Sequence, residues 1–458
     1  MTEEKALQQK GSEKLGEMPV HRLFLSMSIP LMISMMIQSL YNMVDSIFVS
    51  WICEDALTAV SLVYPLQNLS LAVSVGLGVG LNSCVARRLG EGNRQKAEEA
   101  ISHGFILAAV HGLIFVLAGL FLSRPFLSMF TDDPQILDMA VTYSVIVITF
   151  TFGSHFHIAI EKIFQATGNM IVPMVLQGVG AVINIILDPI LIFGMFGLPK
   201  MGVAGAAAAT IIGQMAACLL AFVLLQRQKE GLKLEFRRFQ VRGVVIGNIY
   251  QVAVPSTMMT AMPSLLVSVL NGILSMMANS ATAIAVLGLY FKMQSFVYMP
   301  ANGVVQALRP IASYNYGAGR LDRLKKTVNC AMLVTGIIMA AGTLLFAGFP
   351  GAIMKLFDAQ PELLEMGSSA LRIISIGFFI STPSLIYSGT FEALGKGVHS
   401  LAISILRQMS ILPILAFLLA KVMGTTGVWI SFPVAEAVAV ICAFALWKQT
   451  SRKMGIVK

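Results

Sequence analysis

Arg88-Leu89-Gly90-Glu91-Gly92-Asn93 is echoed by Asn315-Tyr316-Gly317-Ala318-Gly319-Arg320, an offset of 227 positions (315 minus 88). The same offset relates Phe130 and Pro134 to Phe357 and Pro361, and Gln165-Ala166-Thr167-Gly168-Asn169 to Glu392-Ala393-Leu394-Gly395-Lys396. Pro30 is matched by Pro255, and Met201-Gly202 with Gly205 by Met423-Gly424 with Gly427. A single glycine pair would mean little. Collinear matches whose offset drifts slowly mean that the chain is an internal duplication.

What is duplicated is membranous. Of 458 residues, 56% are hydrophobic and only 12% charged, with a mean hydropathy of +0.79. A soluble domain carries roughly 25% charged residues. A spanning helix needs about 20 mostly apolar residues, and the stretches 23–50, 57–85, 99–122, 140–163, 171–196, 203–226, 246–274, 282–308, 327–349, 367–390, 398–420 and 426–447 meet that rule. They are continuous rather than alternating, which excludes a β-barrel. The expectation is an all-α membrane protein of twelve spans in two pseudo-symmetric six-helix lobes around a central cavity. Six is even, so both lobes enter the membrane in the same sense, as in parallel-repeat transporters. The division is a tail at 1–21, a first lobe at 22–226, a linker at 227–245, a second lobe at 246–448 and a tail at 449–458.

The net charge of +9 comes from short basic gaps between apolar stretches. It speaks for membrane topology and lipid headgroups rather than nucleic acid. With an N-terminus inside, the outer loops hold only Arg124, Lys200, Lys355 and Lys421. Both termini are therefore expected on the cytoplasmic side of the cell membrane. Arg309, Lys162 and Lys396 count among the inner basic residues. The five cysteines are scattered without a paired motif, which argues against disulfides and zinc. No removable signal segment is expected. Neither Gly76-Leu77-Gly78-Val79-Gly80 nor Gly90-Glu91-Gly92 follows a strand, so no nucleotide is expected as partner and no cofactor is implied.

Ionisable residues inside spans are costly and mark function. Asp45 lies roughly 9 Å below the outer end of its helix, Asp188 roughly 12 Å and Thr210 roughly 10 Å, at 1.5 Å per residue. Asn184 shares a helix face with Asp188, and Pro189 deprives the Ile185 carbonyl of its helical donor. These oxygens suit a hard cation; equally, two neighbouring carboxylates can share a proton. The bland alternative is a solvated acid pair in a cavity. His103, His111, His155 and His157 read as neutral packing histidines rather than proton relays. The 28 Met and 27 Phe residues read mostly as lipid-facing or packing side chains, with some lining a cavity that re-packs around varied ligands.

The two halves, Pro30, Arg87-Arg88-Leu89-Gly90-Glu91-Gly92-Asn93, Gln165-Ala166-Thr167-Gly168-Asn169 and Gly202-Val203-Ala204-Gly205-Ala206-Ala207 resemble the multidrug and toxic compound extrusion (MATE) family, in its DinF-type, MepA-like prokaryotic branch. The resemblance implies a secondary antiporter, not an enzyme, that exports cationic amphipathic drugs in exchange for protons or sodium ions. It implies a first-lobe cation site of Asp45, Asn184, Asp188 and Thr210, with Asp45, Asn184 and Asp188 as ligands if the ion is sodium. A further polar ligand is expected from helix 4, where Glu161 or Gln165 could serve. In the second lobe the counterparts of Asp45 and Asp188 fall near Leu270 or Asn271 and near Ser410 to Leu412, none acidic. Glu392 is expected at a solvated cytoplasmic end, and Glu436 lies in helix 12. The alternative is a flippase for lipid-linked oligosaccharides, whose cavity should carry several basic residues; here Lys292 and Arg407 stand out. No nucleophile–base motif supports an intramembrane enzyme.

Overall fold

The computed structural model describes residues 14–228, 232–234, 239–277, 279–355 and 361–455. Most of the N-terminal tail, parts of the linker, Phe357 and the last three residues lie outside these. The long helices of the described chain are α1 (Val20–Ser50), α2 (Glu54–Gly90), α3 (Arg94–Phe121), α4 (Pro134–Thr149), α5 (Phe152–Ala166), α6 (Ile171–Phe193), α7 (Val203–Arg227), α8 (Gly243–Leu274), α9 (Ser280–Gly317), α10 (Leu321–Gly348), α11 (Pro361–Ala393), α12 (Gly397–Met423) and α13 (Thr425–Lys453), with short helical turns at Ser123–Leu127, Met195–Gly197 and Pro350–Lys355. Eleven of these are long and apolar enough to span alone, and α4 and α5 make a twelfth span bent by 42°.

That bend corrects the continuous span read at 140–163. It falls at Phe150-Thr151, just before the Gly153-Ser154 pair that opens α5 and lowers the cost of a kink. The local backbone stays satisfied, because the Phe150 and Thr151 N–H groups bond back to Ile146 and Ile148. The Thr151 hydroxyl is also tied to Ser70 Oγ of α2 at 3.1 Å. In α12 the span is continuous, but residues 406–411 widen into a π-helical turn. Pro413 supplies the reason: it has no N–H for the Met409 carbonyl, and its ring would clash there in a regular helix. The C-terminal segment 449–453, read as tail, simply extends α13.

The repeat is physical. The two lobes meet where α2 packs on α8 and α9, and where α1 packs on α9. At the end bearing the basic loops, Gly90 sits on the Tyr314 carbonyl while Gly317 sits on that of Arg87. Since 317 minus 90 and 314 minus 87 are both 227, this is one contact made twice across a pseudo-two-fold axis. Neither position has room for a Cβ. Gly202 (φ 54°, ψ −126°) and Gly424 (φ 63°, ψ −144°) likewise open corresponding helices in a conformation that only glycine adopts without strain.

Basic-end closure is reinforced by Ser83 Oγ donating to the Glu392 carbonyl (2.8 Å) and Arg320 donating to the Gly16 carbonyl (2.6 Å). Met32 of α1 touches Gly303 of α9. One to three turns further out on those same faces, Met36, Met43 and Phe296 are exposed, as is Lys292.

Candidate cation site in the first lobe

Small residues set the site. Gly180 of α6 meets Gly213 of α7, where a Cβ would lie 2.7 Å from the Gly180 carbonyl oxygen. This close approach of two backbones brings Asn184 and Thr210 together. Asn184 Nδ2 donates to Asp188 Oδ2 (3.0 Å), and its Oδ1 accepts the Thr210 N–H (3.1 Å), the orientation that satisfies both ends of the amide. Asp188, Asn184 and Thr210 are each at most 2% exposed. Asp45 enters from α1 beside Asp188, and its Oδ1 is buried without a partner among the described residues. The sequence-predicted group Asp45, Asn184, Asp188 and Thr210 is thus assembled from three helices.

Three aromatic and amide groups missed in the sequence complete it. The Tyr41 hydroxyl, one turn before Asp45, reaches Thr210. Tyr143 of α4 lies beside both acids and Tyr41, and Gln67 of α2 reaches its hydroxyl. The i, i+4 spacing of Tyr41 and Asp45 was a readable signal; Tyr143 and Gln67 had none. Chemically, two facing carboxylates with amide and hydroxyl oxygens can hold one proton between them or surround a hard monovalent cation. The unpartnered Asp45 Oδ1 is the atom with unused accepting capacity.

Glu161 and Gln165 do not join this group. Glu161 Oε1 pairs with Lys162 Nζ (3.1 Å) and accepts from Gln165 (2.7 Å), while Lys162 also donates to Gln165 (3.1 Å) and to Gln306 of the other lobe (2.6 Å). Gln177 of α6 donates to Glu161 Oε2 (3.4 Å) and lies eleven residues before Asp188, roughly 16 Å along the helix. Lys162, counted above among the inner basic residues, is only 6% exposed, and it claims the carboxylate that would have served as ligand. Glu392 is also buried, at 1%, because Arg309 (2.7 Å) and Ser256 (2.5 Å) hold its two oxygens. In the second lobe Arg407 pairs with Glu436 at 3.2 Å, beside Tyr290 and Tyr298.

The histidines pack. His155 bonds the Thr151 carbonyl (3.1 Å) and stacks near Phe115; His111 meets Tyr250 OH (2.7 Å); His103 accepts the Arg242 N–H (3.0 Å). None contacts the acids.

The MatE family model matches the chain twice, over residues 30–190 and 255–418, once in each lobe. The chain belongs to the MatE family. MatE proteins are transporters and not enzymes, and this one is a multi-pass membrane protein. It is 25% identical to a probable multidrug resistance protein, YoeA, of Bacillus subtilis over 98% of this chain and 97% of that one. It is 24% identical to the multidrug export protein MepA of Staphylococcus aureus over 93% of each. Among solved structures it superposes on an outward-facing multidrug resistance MATE transporter of the MOP superfamily. There the TM-score is 0.92 and the identity 25%, with 98% of this chain and 99% of that one covered.

Proposed function

We propose that this MatE protein is a secondary multidrug antiporter that exports cationic amphipathic compounds in exchange for protons or sodium ions, with both termini and the basic loops in the cytoplasm. The observation that carries the coupling is the facing pair of half-buried Asp45 and buried Asp188 on separate helices in the outer half of the first lobe, with one Asp45 carboxylate oxygen unpartnered among the described residues. Families of multidrug relatives support the substrate class.

A ligand shifts a two-state equilibrium only through its differential affinity for the states. Bound proton or sodium favours the state in which Asp45 and Asp188 stay together; a cationic drug favours the state in which they are charged and separated. Pro30 leaves one helical hydrogen bond of α1 unmade, which makes α1 the element able to bend between them. The test is uptake of a fluorescent monocation into everted vesicles under separately imposed proton and sodium gradients. Asp45→Asn and Asp188→Asn should each abolish gradient-driven uptake at equal expression, and Asn184→Ala should reduce it less. Undiminished uptake in either Asp variant overturns the first-lobe mechanism. Cavity chemistry disfavours the flippase reading, since acids rather than a basic cluster occupy the first lobe.

A further inference from the structure

The helix that carries Asp45 is shared between the lobes. The inner half of α1 puts Leu23, Phe24, Met27 and Leu31 into a core formed with α9, α10 and α13 of the second lobe. The outer half packs on the first lobe, where Val49 lies with Ile192 of α6 and Val203 of α7 and Asp45 stands beside Asp188. Whatever fixes the inner half therefore decides how a change at Asp45 is felt where the lobes close.

That fixing is done just ahead of α1. Residues 14–17 are helical, and Pro19 (φ −51°, ψ 128°) turns the chain into α1. Leu15 is 0% exposed and belongs to the same second-lobe core. Carbonyls at a helix end carry partial negative charge and favour cations. Here two arginines take them. Arg320 donates to the Gly16 carbonyl (2.6 Å), while Arg323 Nη2 donates to the carbonyls of Leu15 (3.2 Å) and Met18 (2.8 Å). Arg323 Nε donates to Asn315 Oδ1 (3.2 Å), which fixes the plane of the guanidinium. Gly16 leaves room for this grip, since a Cβ there would lie 2.6 Å from Arg320 Nη1 and 3.1 Å from Tyr314 Cε1. The same stretch of chain closes the basic end, because the Tyr314 carbonyl meets Gly90 and Gly317 meets Arg87.

We propose that Arg320 and Arg323 are positioning residues for transport: they clamp the start of α1 to the second lobe, so that α1 links occupancy at Asp45 and Asp188 to closure of the basic end. This rests on the proposed antiport. With the clamp made, a drug that separates the acids moves α1 against the second lobe and loosens the closing contacts. With the clamp broken, the inner end of α1 slips, and the acids change state without opening the basic end.

The test uses everted vesicles holding the full chain with Ser83→Cys and the five native cysteines replaced by serine. A membrane-impermeant maleimide is supplied at one fixed pH, with and without tetraphenylphosphonium, and calorimetric titration of each purified variant measures binding of that cation. In the parent, tetraphenylphosphonium should speed labelling at least about five-fold, the low end of ordinary coupling energies. Arg323→Gln and Leu15→Ser should each bind the cation as the parent does, yet label at a rate that it no longer changes. Leu15→Ser alters no charge, so it separates the clamp from any effect of basic residues on topology. Arg320→Lys should respond as the parent does, because one donor serves one carbonyl. Arg323→Lys should lose the response, since an ammonium lacks the planar fork that spans two carbonyls and an amide. Thermal unfolding in detergent confirms that each variant is folded, and Arg320→Gln, which loses a single bond, replaces Arg323→Gln if that variant does not fold. The clamp is overturned if Arg323→Gln and Leu15→Ser respond like the parent, if they lose tetraphenylphosphonium binding, if Arg320→Lys fails to respond, or if the parent binds the cation without responding. Antiport survives each of those outcomes. If the parent does not bind tetraphenylphosphonium, both the clamp and the reading beneath it fall.

Discussion

At the residue scale, buried charge separates two kinds of polar group in this transporter. Glu161 and Lys162 are 4% and 6% exposed and surrounded by glutamine amides, so each charge is balanced. Breaking such a pair by removing one partner typically costs about 3–5 kcal/mol, because the survivor stays buried and uncompensated. Glu161→Gln should therefore lower the thermal unfolding temperature in detergent substantially. The double change Glu161→Gln with Lys162→Met should restore much of it, as judged by a double-mutant cycle. Among the described residues Asp45 and Asp188 have no such cation, so their substitution by Asn should leave the unfolding temperature unchanged or raised while coupling is lost. A parallel loss of stability and transport in the Asp variants would instead make them structural. The sequence showed both sets of residues. It could not show which acids had a lysine beside them, because Lys162 is adjacent to Glu161 in the chain whatever its burial.

At the element scale, helix packing through glycine is what closes one end of the cleft. Gly90 and Gly317 each bear on the backbone of the opposite lobe, so a methyl group at either cannot be accommodated without separating α2 from α9. Gly90→Ala and Gly317→Ala should each shift the population toward a state open at the basic end. A cysteine placed at Ser83, which is 0% exposed here, should then react faster with a membrane-impermeant maleimide supplied from the cytoplasmic face of everted vesicles. Equal rates in the glycine variants and their parent would mean that these contacts do not gate. Because the two glycines make the same contact across the pseudo-axis, their effects should be similar in size. The bend between α4 and α5 belongs at this scale too. The sequence offered only the Gly153-Ser154 pair as a signal for it, while the hydroxyl of α2 that bonds Thr151 at the break could be seen only in the structure.

At the scale of the whole molecule, the proposed antiport entails reciprocity: cation and drug should each lower the other's affinity by the same factor. Affinity for a permanently charged monocation should rise as pH increases and fall as sodium is added, because both proton and sodium occupy the carboxylates that the drug needs charged and free. Titration of the dye in detergent across pH, with and without sodium, measures this; insensitivity to both would remove the shared coupling. For topology, the exposed native Cys53 should label from outside intact cells, whereas a cysteine replacing Asp322, near the basic end of α10, should not.

Composition, apolar length and the repeat determined that the chain spans the membrane as two related helical lobes, because the bilayer leaves the backbone few choices and period-independent apolar length is written directly in residue types. The depths of Asp45, Asp188 and Thr210 were legible for the same reason: position along a spanning helix converts to height. What only tertiary structure decided is which side chains at a given height face one another. Tyr143 and Gln67 joined the acids, Glu161 was taken by Lys162, Glu392 by Arg309, and Arg407 by Glu436. Those pairings depend on the rotation and crossing of helices far apart in the chain, and they are set by the contacts of small residues at the crossings rather than by any pattern along one segment.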